Sequence, residues 1–92
     1  MIDFDVDRVL TSLTDRLAAI EHERWSHWQK YLHSKCVANL DDTLTIPKDL
    51  VEKWGRQATA AYADLTEAEK DSDRKQVLRY LPLIADAVRA AV

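Results

Sequence analysis

Residues that interrupt helices are scarce in this sequence. Its 92 residues include one glycine and two prolines, which leaves little material for tight turns. The strong helix formers Ala, Leu, Glu, Lys and Arg are abundant. The composition therefore predicts an all-α fold, and the chain length allows one hydrophobic core, so we expect residues 1–92 to form a single domain.

Three further absences restrict the function. Cys36 is the only cysteine, which excludes an internal disulfide and suits a reducing compartment. No apolar run approaches the roughly 20 residues of a membrane span, and the start, MIDFDVDRVL, lacks the basic and apolar regions of a signal peptide. The net charge is −3 without a basic cluster, whereas nucleic-acid binding needs a concentrated positive surface. We expect a cytoplasmic protein with neither a membrane nor a nucleic acid as its partner.

Apolar residues recur every three or four positions along most of the chain, which is the spacing of helices with one buried face. Thr66 and Glu69 have the spacing of a capping box, and Pro82 is expected to kink the last helix. We predict a three-helix domain with two long antiparallel helices and one shorter helix. Its elements are helix 1 (about 5–35), a loop (36–46), helix 2 (about 47–63) and helix 3 (about 66–91).

Charged residues interrupt both long apolar faces. At about 100° per residue, Glu21 and Arg24 lie within about 40° of the apolar line of helix 1. By the same count, Lys70 and Arg74 lie in line with the apolar face of helix 3. If the two helices pack antiparallel, these charges meet, and a carboxylate removed from water is tolerated only when it is paired. We therefore predict an ion pair between Glu21 and Arg74.

This polar centre has two interpretations. In the first, the ion pair only sets the register of the two helices. In the second, three cations around one carboxylate leave positive charge for an anion or phosphate beside Trp25, Trp28, Trp54 or Tyr62. On the second interpretation the ligand-binding residues are Glu21, Arg24, Trp25, Trp28, Tyr62, Lys70 and Arg74.

Residues 21–25 (EHERW) and 62–84 (YADLTEAEKDSDRKQVLRYLPLI) resemble the ryanodine-receptor (RyR) domain. That small helical module occurs as repeats in calcium-release channels and, alone or fused, in bacterial and phage proteins. The resemblance implies a binding or interaction module without catalysis, with nucleotide-type ligands stacked on its aromatic residues. The matching residues are Glu21, His22 and Trp25 in the first stretch, and Tyr62, Leu65, Glu69, Lys70, Asp73 and Arg74 in the second.

The residue pattern provides no catalytic group, cofactor site or metal site. His22, His27 and His33 do not converge on one helix face, as zinc ligands must, and no nucleophile, base and oxyanion donor can be assembled. The alternative to a ligand-binding module is a homo-oligomeric adaptor for other proteins, with purely structural charges. We expect self-association, most simply a two-fold dimer through the N-terminal half of helix 1, because Phe4, Val9 and Ile20 give that helix a second apolar edge.

Overall fold

The computed structural model describes residues 4–92. These residues form four α-helices and a two-stranded hairpin, so the chain is mostly helical, as its composition predicts. None of these helices is long and apolar enough to cross a membrane. The elements are α1 (Val6–Ser12), α2 (Thr14–Lys35), β1 (Val37–Ala38), β2 (Leu44–Thr45), α3 (Lys48–Thr59) and α4 (Glu67–Ala91), with a 3-10 helix at Tyr62–Asp64.

The predicted first helix is divided at Leu13. The backbone of Leu13 keeps helical angles, but its N–H donates to the carbonyl oxygen of Leu10, three residues back, at 3.1 Å. On either side, the hydroxyls of Ser12 and Thr14 each donate to the carbonyl oxygen three residues earlier, at 2.6 and 2.7 Å. Such side-chain bonds compete with the helical ladder and bend helices. The expectation of one continuous helix was therefore wrong.

The predicted loop 36–46 contains a short antiparallel hairpin of β1 and β2. Asp42 closes its turn with a φ of 66°, a left-handed conformation that Asp tolerates better than most residues. The carboxylate of Asp41 accepts hydrogen bonds from the N–H and the hydroxyl of Thr43, at 3.1 and 2.6 Å. The turn residues were recognisable in the sequence, whereas the strand pairing was not.

The second half of the chain follows the prediction more closely. α3 ends at Thr59, earlier than expected, and the 3-10 helix leads into α4. The capping box is confirmed: the Thr66 hydroxyl accepts from the Glu69 N–H at 3.2 Å, and the Glu69 carboxylate accepts from the Thr66 N–H at 3.0 Å. α4 continues through Pro82, and the kink there stays a prediction.

α2 and α4 lie side by side and antiparallel. The hydroxyl of Tyr80 donates to Glu21, while the guanidinium of Arg79 donates to Glu23, so residue numbers rise along one helix as they fall along the other. α1 also packs against α4. α3 lies beside the opposite end of this pair, where Trp54 contacts Trp28 of α2 and Arg56 binds Glu69 of α4.

This arrangement has very little core. Among residues 4–92, Leu13 is the one fully buried large side chain. The radius of gyration is 18.7 Å, whereas a compact domain of this length has about 12 Å. The accessible surface is 7503 Å², against about 5500 Å² for a typical folded monomer of this mass. The single chain is elongated and leaves much apolar surface uncovered.

Candidate functional site

A groove of about 660 Å³ lies where α2, α3 and α4 meet. Its volume is within the range of small-molecule sites, about 300–1000 Å³. We call it the central groove. Its lining residues are Arg24, His27, Trp28, Tyr31, Lys53, Trp54, Gln57, Ala58, Leu65, Glu69, Ser72, Asp73, Gln76 and Arg79.

Aromatic rings form one side of the central groove. The rings of Trp28 and Trp54 meet edge to face, with centroids 5.4 Å apart and an interplanar angle of 71°. Tyr31 lies one turn beyond Trp28, with its ring 5.6 Å away. Both Trp28 and Tyr31 keep a substantial exposed surface. Half-exposed rings of this kind offer a flat ligand a surface on which to stack.

Three cations line the groove: Arg24, Lys53 and Arg79. Arg24 is paired with Glu21 and Arg79 with Glu23, and both carboxylates belong to α2. Lys53 has no carboxylate partner within residues 4–92. Its ammonium group is thus the cation of the groove with the greatest freedom to bind an anion.

Glu21 holds the guanidinium of Arg24 at the edge of the groove. The Nε of Arg24 donates to Glu21 at 2.9 Å, and the Tyr80 hydroxyl donates to the other carboxylate oxygen. These two bonds, that of Arg24 first, lower the pKa of Glu21 to about 2. The side chains of Glu21 and Arg24 are 49% and 43% exposed. The apolar face of the helix therefore carries two charges at the rim of a groove.

The predicted ion pair between Glu21 and Arg74 does not form. Arg74 donates to Asp71 at 2.8 Å and to Glu67 at 3.3 Å, both on its own helix, and these bonds raise its pKa above the usual value. Glu21 instead lies beside Tyr80, six residues further along α4. Six residues turn a helix by about 600°, so Arg74 lies about 120° around α4 from Tyr80. A different side of α4 from the predicted one therefore faces Glu21.

Glu69 connects α3 to the start of α4. Its carboxylate accepts from Arg56 at 2.8 Å, from the side-chain amide of Gln57, and from the backbone N–H of Thr66. These bonds, with that of Arg56 the largest cause, lower the pKa of Glu69 to about 2. The capping carboxylate thereby also fixes the wall of the central groove.

Gln76 contributes an unusual acceptor to the groove. Its Oε1 is buried and has no hydrogen-bond donor within residues 4–92. Leaving a buried amide oxygen unsatisfied costs about 1–3 kcal/mol.

The structure divides the predicted site residues between separate places. Arg24 and Trp28 line the central groove, and Glu21 supports Arg24 from outside it. Trp25 is 54% exposed and stacks against His22 with ring centroids 6.0 Å apart, away from the lining.

The other three predicted residues lie together near the start of α4. Tyr62 and Arg74 line a second hollow, of about 370 Å³, together with Val77 and Leu78. The ammonium group of Lys70 lies 5.8 Å from the centre of the Tyr62 ring. The seven predicted residues therefore do not form a single site.

Lys53, Gln76 and Arg79 entered no sequence-based prediction of the site. They reach the groove from α3 and α4, and their contribution depends on how these helices cross α2. No motif or periodicity in the sequence marks such a crossing. Trp54 was recognisable as one of the candidate aromatic residues, but its approach to Trp28 was not.

The bonding of Glu21 and Glu69 predicts a loss of stability in acid. A carboxyl group whose pKa is lowered by folding stabilises the native state above its unfolded pKa, and this contribution falls as the pH drops through the interval between the two values. For both groups that interval runs from 4.5 to about 2. We expect the melting temperature to fall steadily over this range.

Thermal melts followed by circular dichroism between pH 2 and pH 6 will measure this dependence. Glu69→Gln is expected to flatten the profile, since the variant no longer has the carboxyl group to protonate. Glu52→Gln removes an exposed carboxylate of α3 and is the matched control. Equal profiles for wild type and Glu69→Gln would contradict the assigned role of Glu69.

The groove brings exposed aromatic rings and cations together. Across residues 4–92, no group of three or more His, Cys, Asp and Glu side chains is arranged to bind a metal ion. Comparisons of the chain with known protein families, with characterised proteins and with solved structures gave no match.

Proposed function

We propose that this protein is a non-enzymatic binding module for a small anionic ligand with an aromatic ring, most simply a nucleotide. The observation that carries the proposal is the joint presence of Trp28, Trp54, Arg24 and Lys53 around one groove of about 660 Å³. The likeness of two sequence stretches to the RyR domain supports it independently. We place the module in the cytoplasm, as a small bacterial or phage protein, where a lone Cys36 stays reduced.

The groove suits the two halves of such a ligand. A flat base stacks on the exposed indole of Trp28, which is worth about 1–3 kcal/mol per base. A phosphate accepts hydrogen bonds from Arg24 and Lys53, and bonds between charged groups are the stronger kind.

The contacts favour binding over catalysis. The hydroxyl of Ser26 lies 3.5 Å from Nε2 of His22, which is the approach of a nucleophile and a base. An active pair needs a third group that orients the base, and within residues 4–92 no carboxylate hydrogen-bonds to this imidazole. The pair also lies outside the lining of the central groove.

Calorimetry with a panel of mono-, di- and cyclic nucleotides tests the proposal. We expect at least one of them to bind, and Lys53→Ala to weaken that binding about tenfold, as loss of a charged hydrogen bond does. Lys48→Ala is the matched control, because Lys48 lies on the same helix and outside the groove. Absence of heat from every nucleotide at about 1 mM would overturn the proposal, as would an equal effect of the two substitutions.

A second candidate is the homo-oligomeric adaptor, in which the charged residues have a structural role only. The large exposed apolar surface favours it. A thermal-shift screen separates the two candidates, because a ligand that binds the native state raises its stability. The binding module gains stability with some nucleotide, whereas the adaptor gains none.

A further inference from the structure

We infer that a second copy of this chain covers the outer face of α4 and forms a two-fold antiparallel dimer. The outer face consists of Val77, Leu78, Leu81 and Ala85, which fall within about 100° around the helix. The side chains that bind α2, namely Tyr80 and Arg79, point to the opposite side. This inference does not depend on the proposed nucleotide binding.

The outer face is apolar and exposed. Val77, Leu78 and Leu81 are 50%, 62% and 49% exposed, although apolar side chains of this size stabilise a fold when they are buried. The second hollow, of about 370 Å³, extends this face toward Tyr62. A continuous apolar surface of this kind is typical of a protein interface.

The amount of uncovered surface favours a copy of the same chain as the occupant. The accessible surface of 7503 Å² exceeds that of a typical monomer by about 2000 Å². Obligate dimers bury about 2000–5000 Å² in total, or about 1000–2500 Å² on each subunit. The excess surface of one chain lies within the area that each subunit of such a dimer buries. Since one copy buries a single large side chain within residues 4–92, the missing core has to come from association.

An antiparallel arrangement places the charged residues at the two ends of α4 beside each other. When Leu78 of one copy lies against Leu81 of the other, Arg89 comes opposite Lys70, whose ammonium group is paired with Glu67 of its own helix at 3.5 Å. The two helix dipoles are then antiparallel as well, which is the favourable orientation.

The proposed dimer leaves the central groove open. Glu69, Gln76 and Arg79 line the groove, and their positions on α4 lie on the side away from the outer face. Each copy therefore keeps its own groove, and ligand binding does not compete with association.

Cysteine cross-linking locates the interface. In a Cys36→Ser background, Leu78→Cys is treated with a short bis-maleimide, and Leu10→Cys is the matched control, an exposed leucine of α1 outside the outer face. We expect most of the Leu78→Cys protein to form a covalent dimer and Leu10→Cys to remain monomeric. The opposite result would overturn the inference and favour the helix 1 interface predicted from the sequence.

Sedimentation provides the second measurement. The wild type is expected at twice the chain mass of 10.6 kDa, and Leu81→Glu at the monomer mass, because a carboxylate within an apolar interface is left without a partner. A wild-type monomer at high micromolar concentration would overturn the inference. If Leu81→Glu fails to fold, the cross-linking pair still decides, since neither cysteine introduces a charge.

Discussion

A hundredfold dilution of the protein is expected to lower its melting temperature by about 7 °C. If folding and dimerisation are coupled, this dilution lowers the free energy of unfolding of the dimer by about 2.7 kcal/mol. The entropy of unfolding near the transition is about 2.1 cal/mol/K per residue, summed over both copies. The free energy divided by this entropy gives the expected shift.

Circular dichroism melts at about 1 and 100 µM measure the effect. The control is the cross-linked Leu78→Cys dimer, whose two copies cannot dilute apart, so its melting temperature is expected to be the same at both concentrations. A wild type that also melts at a constant temperature would mean that the chain folds as a monomer, despite its radius of gyration of 18.7 Å.

Trp28→Ala is expected to weaken nucleotide binding about 5- to 150-fold, which corresponds to the loss of about 1–3 kcal/mol of base stacking. Trp25→Ala, three residues earlier on the same helix, is expected to change the affinity by less than about twofold. The reason is geometric: Trp28 lines the central groove beside Trp54, whereas Trp25 stacks on His22 outside it.

Calorimetry with the tightest-binding nucleotide of the panel provides the affinities, and circular dichroism checks that each variant is folded. Because Trp28 also contacts Trp54, Trp28→Phe is included as a milder variant that keeps a ring, and an intermediate affinity is expected for it. A larger loss for Trp25→Ala than for Trp28→Ala would contradict the groove assignment and support the site predicted from the sequence.

Of the predicted site residues, Arg24 and Trp28 of α2 line the central groove, whereas Lys70 and Arg74 of α4 do not. Arg24 and Trp28 lie one turn apart on α2. Lys70 and Arg74 were placed with them by assuming a helix register, and in the structure Arg74 binds its own helix instead. The predicted assembly of charges across two helices failed because the side of α4 that meets Glu21 is that of Tyr80, about 120° around the helix from Arg74. The apolar period did not show which side of α4 packs against α2.

Features that depend on a few neighbouring residues were determined by the sequence alone. The helical character follows from composition, and the capping box of Thr66 and Glu69 follows from a spacing of three residues that closes two local hydrogen bonds. The break at Leu13 is equally local, because it depends on the hydroxyls of Ser12 and Thr14. The apolar spacing continues across these residues and therefore predicted one unbroken helix.

The tertiary structure alone decided which charges and rings share a groove and which apolar faces stay uncovered. The contacts of Glu21 with Tyr80, and of Arg56 with Glu69, join residues from different helices. Their geometry depends on helix register and crossing, and these are set by the packing of many weak apolar contacts at once. The sequence of each helix shows that one of its faces is apolar, but it does not show which element packs against that face.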